Sequence, residues 1–95
     1  MSDPSIDSLL PATPLSVRAL FFAAYRDLLG VAGLSVDLPE GATVADLVAT
    51  LRGRGAPFDT LPREPAVAVN RAYALPTEKL HPGDEVAFIP PVAGG

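Results

Sequence analysis

The stretch from Thr43 to Gly53 carries the clearest helical signal in the chain. Val44, Leu47, Val48 and Leu51 fall at i, i+3, i+4 and i+7, so they share one face of a helix that must be buried against something. Thr43 stands at the N-cap, and Asp46, three residues on, can close a capping box and favours the positive end of the helix dipole. Gly53 and Gly55 end the element. Elsewhere the apolar residues come in short runs with strand character. Val17 to Phe22 is apolar and aromatic. Leu34, Val36 and Leu38 alternate with Ser35 and Asp37 before the turn Pro39-Glu40-Gly41. Pro65 to Asn70 and Glu85 to Ile89 give two more strands, the latter with Val86 and Phe88 on one face. One amphipathic helix among short strands dictates an α+β roll, with the helix packed across a mixed sheet of four to five strands.

The remaining segments punctuate that roll. Ala23 to Leu29 reads as one or two helical turns stopped by a glycine cap at Gly30. Residues 56 to 65 hold three prolines and read as an irregular crossing loop. Asn70-Arg71 is a turn, Tyr73 lies on a short return segment, and Thr77 to Leu80 forms one helical turn. His81-Pro82-Gly83-Asp84 is a strong turn signal. Pro90-Pro91 ends the last strand, because neither residue can donate to a ladder. The expected organisation is a disordered N-terminal arm over residues 1–16, rich in Pro and Ser, a folded domain over 17–89, and an extended tail over 90–95.

Composition narrows the function. With 95 residues there is room for one domain and little for an enclosed active site. No cysteine is present, so neither a thiolate metal site nor a cysteine nucleophile is available, and any sulfur chemistry must use sulfur that is not encoded. A net charge of −4, with six Arg and one Lys scattered, argues against a nucleic-acid partner. Asp3 and Asp7 give the first residues the wrong sign for a secretory leader. No apolar run approaches the ~18 residues of a membrane span. A soluble, cytoplasmic protein with no membrane partner is expected.

Two features point to a task. The first is the end Gly94-Gly95. A slim, extended terminus without side chains can enter enclosed sites on other proteins, and Pro90-Pro91 would project it with less loss of conformational entropy than a wholly flexible linker. The second is the sheet face away from the helix. If Val17, Ala19, Phe21, Val67, Val69, Val86 and Phe88 face the helix, alternation turns Leu20, Phe22, Ala66, Ala68, Ala87 and Ile89 outward, with Tyr73 nearby. A solvated face should be polar, so an apolar one points to a partner surface, the alternative being cover by loops or by the N-terminal arm. Other residues carry less. His81 is a solvated turn residue, and Asp84 and Glu85 would point to different sides of a strand and so form no acid/base pair. Gly53-Arg54-Gly55 lacks the lysine and hydroxyl of a phosphate loop. Arg26, Arg52, Arg54 and Arg71 read as solvated or rim charges.

Three blocks together resemble a known family. They are Leu20-Phe21-Phe22-Ala23 with Arg26-Asp27-Leu28-Leu29-Gly30, then Ala68-Val69-Asn70, then Gly83 to Gly95 with its Asp-Glu-Val-Ala-Phe-Ile-Pro-Pro core. From Val17 to Gly95 the chain resembles the small subunits of molybdopterin synthase, a sulfur-carrier family with the β-grasp, or ubiquitin-like, roll. The arm before the first strand departs from that pattern. The resemblance implies a non-catalytic, sulfur-donating subunit. An adenylyltransferase similar to ubiquitin-activating enzymes would use ATP to adenylate the Gly95 carboxylate, and a sulfur-donor enzyme would supply the sulfur of a thiocarboxylate. The loaded tail would then enter the large, catalytic synthase subunit and give its sulfur to cyclic pyranopterin monophosphate, building the dithiolene of molybdenum cofactor. No cofactor or metal is expected on this chain itself, and a heterotetramer of two large and two small subunits is implied. Gly95 would carry the chemistry and Gly94 keep the tail slim. Leu20, Phe22, Tyr73 and Ile89 on the face, and Pro90, Pro91, Val92 and Ala93 along the tail, are expected to meet the partner. The alternatives from the same residues are a thiamine-pathway sulfur carrier, a ubiquitin-like protein modifier, and an interaction module with an inert tail.

Overall fold

In the computed structural model, which describes residues 15–91, five strands and two helices follow in the order β1 (Leu15–Phe21), α1 (Ala23–Leu29), β2 (Gly33–Leu38), α2 (Val44–Arg52), β3 (Ala66–Val69), β4 (Ala72–Ala74) and β5 (Glu85–Ile89), with a single 3₁₀ turn at Phe58–Thr60. The sheet order is β2-β1-β5-β3-β4. β1 and β2 form an antiparallel hairpin, as do β3 and β4, and β5 lies between the pairs, parallel to β1 and antiparallel to β3.

The main helix forms for the reasons its sequence gives. Thr43 accepts from the Asp46 amide, and Asp46 Oδ2 accepts from the Thr43 amide at 2.9 Å, completing the capping box. Val44, Leu47, Val48 and Leu51 are all buried. They pack on the face formed by Val17, Ala19, Phe21, Val67, Val86 and Phe88, with Val69 half-buried at its margin. The Phe21 and Phe88 rings sit 5.2 Å apart at the centre of that face.

Four local readings change. The first strand begins at Leu15, not Val17: Leu15 pairs with Leu38 and is buried, so the domain starts inside the segment assigned to the arm. It ends at Phe21, because Phe22 leaves the ladder to become the N-cap residue of α1. Ala23 follows with φ of 48°, a left-handed conformation that turns the chain off the sheet. Residues 77–80 make no helical turn. Glu78 N–H bonds Leu75 C=O, Lys79 bridges back to Thr43, and Leu80 N–H bonds Ala42 C=O, so the segment runs alongside the start of α2 and buries Leu80. After α2, Gly53 remains right-handed with φ of −68° and Gly55 takes the left-handed position at φ 85°. Residues 1–14 of the expected arm and 92–95 of the expected tail lie outside the described residues.

Arg52 is no solvated charge. From the last turn of α2 it is half-buried, and its Nε donates to the Leu61 carbonyl at 2.8 Å and Nη2 to the Asp59 carbonyl at 3.3 Å. This clamp holds the proline-rich crossing and lets Leu61 enter the core. Arg54 stacks over the Phe58 ring at 5.9 Å.

Candidate functional site

Because β1 and β5 run parallel, their C-terminal ends, with Phe22 and Pro90 just beyond, emerge at the same end of the sheet. The outer face is graded toward that end. Ser35, Arg18 and Glu85 form a polar row across β2, β1 and β5. The next outward row crosses all five strands in register: Gly33, Leu20, Ala87, Ala68 and Tyr73. A side chain at Gly33 would put its Cβ 3.0 Å from both the Ala19 carbonyl and Leu20, so glycine lets Leu20 fill the edge of that row. The last row pairs Ile89 with Ala66, and the tail leaves beside it.

Leu20, Ala87 and Ile89 are half-buried and Ala66 is exposed, as alternation requires. Tyr73 is 77% exposed and Phe22 52%. Ala68 differs: between the neighbours Ala87 and Tyr73 its methyl group is buried, so it closes the surface rather than standing out from it. Phe22 reaches this end from the strand–helix junction, not from within the strand. Leu75, Leu28 and Val31 are also exposed, which alternation could not reveal because all three lie outside the strands.

At the root of the tail lies an open groove of 360 Å³, lined by Tyr25, Pro62, Glu64, Pro65, Ala66, Tyr73, Ile89, Pro90 and Pro91. Tyr25, Pro62, Glu64 and Pro65 were not foreseen as site residues. The signal was the proline cluster of the crossing loop, which reads as irregular chain until the sheet places it beside Pro90-Pro91. Tyr25 hangs from α1 into this region, and burial pushes its hydroxyl above the usual phenol range. Among the described residues Glu64 is the only charge lining the groove.

The other end of the sheet is held by polar contacts. Asn70 and Arg71 both have positive φ, 49° and 74°, giving the two-residue turn with the primed twist that suits a hairpin. Asp84, nine-tenths buried, accepts from Asn70 Nδ2 at 2.9 Å and from the His81 amide at 2.8 Å. Asn70 Oδ1 in turn accepts from the Glu85 amide at 3.0 Å. His81 itself is 77% exposed and 3.8 Å from Asp84. Asp84 therefore ties the turn after β3 to the turn before β5. Among the described residues no three His, Asp or Glu side chains cluster as metal ligands would, and no helix is long and apolar enough to cross a membrane. Gly94, Gly95, Val92 and Ala93 fall beyond Pro91 and outside the described residues.

Residues 19–95 match the family model described as the ThiS family. The chain belongs to the ThiS family. Among its relatives in that family, a molybdopterin synthase sulfur carrier subunit from Chlamydomonas reinhardtii is 35% identical, with 85% of this chain and 100% of the relative covered. The crystal structure of SAMP1 from Haloferax volcanii, a small archaeal modifier protein, superposes with a TM-score of 0.69 at 30% identity, covering 84% of this chain and 99% of that one. A complex of subunits 1 and 2 of molybdopterin-converting factor from Helicobacter pylori contains a chain that superposes with a TM-score of 0.61, covering 85% of this chain and 100% of that one. At 21% identity it shares the fold. The ubiquitin-like β-grasp architecture of this ThiS-family chain is thus common to carriers and modifiers.

Proposed function

We propose that this chain is a sulfur carrier, the small, non-catalytic, sulfur-donating subunit of a molybdopterin synthase. The observation that carries the reading is the relative named a molybdopterin synthase sulfur carrier subunit, matched over its whole length, together with a family match that runs to residue 95 and so takes in Gly94-Gly95. The geometry supports it: the last strand is held on both sides, and the chain then leaves the sheet beside an apolar face and an apolar groove.

In this reading the Gly95 carboxylate attacks the α-phosphorus of ATP on an activating adenylyltransferase, releasing pyrophosphate. Adenylation matters because a free carboxylate is a poor electrophile. A sulfur donor displaces AMP and leaves a thiocarboxylate, the nucleophile a chain without cysteine cannot otherwise offer. The large synthase subunit receives the tail and catalyses sulfur transfer to cyclic pyranopterin monophosphate. Leu20, Phe22, Tyr73 and Ile89 meet that subunit, with Pro90 to Ala93 lining the path of the tail. The chain binds no cofactor of its own, works in the cytoplasm, and assembles as two large and two small subunits.

The likeness to a small archaeal modifier protein favours a second reading, in which the activated Gly95 is passed to a lysine amine. The two readings separate in one experiment. The chain is incubated with an activating enzyme, ATP and a sulfur source, and its C-terminal peptide is weighed. A carrier exchanges one oxygen for sulfur there and then supports dithiolene formation by the large subunit, whereas a modifier accumulates as isopeptide adducts. Deletion of Gly95 abolishes transfer, since one residue withdraws the reacting group by roughly 3.3–3.6 Å, as far as the ~3–3.5 Å of a productive approach. Full dithiolene formation by a chain lacking Gly95 would overturn the carrier reading.

A further inference from the structure

The groove at the root of the tail is poor in hydrogen-bond donors. Pro62, Pro65, Pro90 and Pro91 form much of its wall, and a proline offers a carbonyl but no N–H. Tyr25 lines it too, and its backbone N–H is already bonded to the Phe22 carbonyl at 3.0 Å. Among the described residues, the side-chain donors of the lining are the two phenol hydroxyls of Tyr25 and Tyr73. Glu64 adds a carboxylate. It is exposed, and among the described residues no cation lies within ion-pair distance of it. Arg63, its neighbour in sequence, is exposed and does not line the groove.

That lining selects the chemistry of its occupant. An anion would meet a like charge and few donors, on a chain whose net charge is already −4. A cationic side chain, which donates and does not accept, meets carbonyls, a carboxylate and apolar walls. Arginine suits the groove better than lysine, because a guanidinium is planar, more weakly hydrated than an ammonium, and stacks on aromatic rings. This chain uses the same packing elsewhere, where Arg54 lies over the Phe58 ring at 5.9 Å. The place of the groove names the source of that arginine. Ala66, Tyr73 and Ile89 belong both to its lining and to the outer face of the sheet, and Pro90-Pro91 carry the chain out beside it. A protein that covers the face and takes the tail therefore closes the groove as well, and an ion pair formed there is screened less than one on open surface.

On the carrier reading, we propose that this groove receives an arginine side chain of the large synthase subunit, its guanidinium paired with Glu64 and laid against the Tyr73 ring, its aliphatic stem against the prolines. The contact sets specificity beside the tail. A protein that presents an acid or an apolar residue at this point leaves the Glu64 carboxylate desolvated without a partner, and is disfavoured for that reason.

The test titrates the large subunit into the full chain by calorimetry, at low and at high salt, for wild type, Glu64→Gln and Glu64→Arg. Glu64→Gln is expected to weaken binding at least about tenfold at low salt and to lessen its salt dependence. Glu64→Arg weakens it further, and replacing one arginine of the large subunit by glutamate should restore it. Both variants should keep the wild-type urea midpoint, since Glu64 is exposed. Wild-type affinity and salt dependence in Glu64→Gln overturn the proposal, as does failure of every single arginine replacement to rescue Glu64→Arg. A second arm needs no large subunit. N-acetyl-arginine N-methylamide, titrated into the full chain and followed by amide NMR, should shift Glu64, Ala66, Tyr73 and Ile89, while the corresponding glutamate compound leaves them in place. An equal response to the two compounds, or an undiminished response in Glu64→Gln, overturns the preference for a guanidinium. A wild-type chain that shows this preference but does not bind the large subunit overturns the carrier reading and the named occupant with it.

Discussion

Single residues decide whether the ends of this small sheet hold together. Asp84, itself buried, accepts two part-buried hydrogen bonds from two turns, so Asp84→Ala leaves the Asn70 side-chain amide and the His81 backbone N–H without their acceptor. A loss of about 1–3 kcal/mol in urea unfolding is expected, with His81→Ala nearly neutral because that side chain is solvated. Tyr25 sets a pH limit. Its folded-state hydroxyl titrates above the ordinary phenol value of ~10, so the stability it contributes is complete below that value and is lost as pH rises through the raised one. Thermal melts of wild type and Tyr25→Phe should converge in difference at neutral pH and separate in strongly alkaline buffer, the variant being the less pH-sensitive. The sequence exposed Asp84 as part of a turn but not as its anchor, because its partner Asn70 lies in another turn, 14 residues away. Phe22 was read as a strand residue because apolar alternation runs through it. What ends the strand is the backbone of Ala23, whose left-handed φ no side-chain pattern announces.

The elements themselves were more legible. The α2 helix, its capping box and the turn at Gly30 follow from local rules that operate within a few residues, and each is found where the residues call for it. The order of the crossing from Ala56 to Pro65 was not, because it comes from Arg52, on the preceding helix, donating to two carbonyls within the crossing. Arg52→Met keeps the aliphatic stem but strands the Leu61 carbonyl, and a destabilisation of about 1–2 kcal/mol is expected, with Arg52→Lys recovering only part of it. The sheet face is an element of another kind, graded from Arg18 and Glu85 to Tyr73 and Ile89. Charged replacement at its most exposed points, Phe22→Asp or Tyr73→Asp, should leave urea unfolding within about 0.5 kcal/mol. The same variants should weaken capture of the large synthase subunit at least tenfold in a calorimetric titration, because an unpaired charge would be buried there. Val92 to Gly95 lie outside the described residues, and the task expected of them belongs to the proposed function.

At the scale of the whole molecule the margin is narrow. A chain this size has roughly 5–15 kcal/mol of stability in hand, and Phe88, fully buried against Phe21, fills the centre of its one core. Phe88→Ala is expected to remove about 3–5 kcal/mol and to lower the thermal midpoint correspondingly, which calorimetry would register as a large fraction of the total. The topology adds a second dependence. The strand made last is the one seated at the middle of the sheet, joining a hairpin built from the first part of the chain to a hairpin built from the middle. Until the ribosome has released residues 85 to 89, those two hairpins have no common partner and the roll stays open. A chain cut before Glu85 therefore loses the strand that joins its two hairpins, and limited proteolysis is expected to digest it many times faster than the full chain.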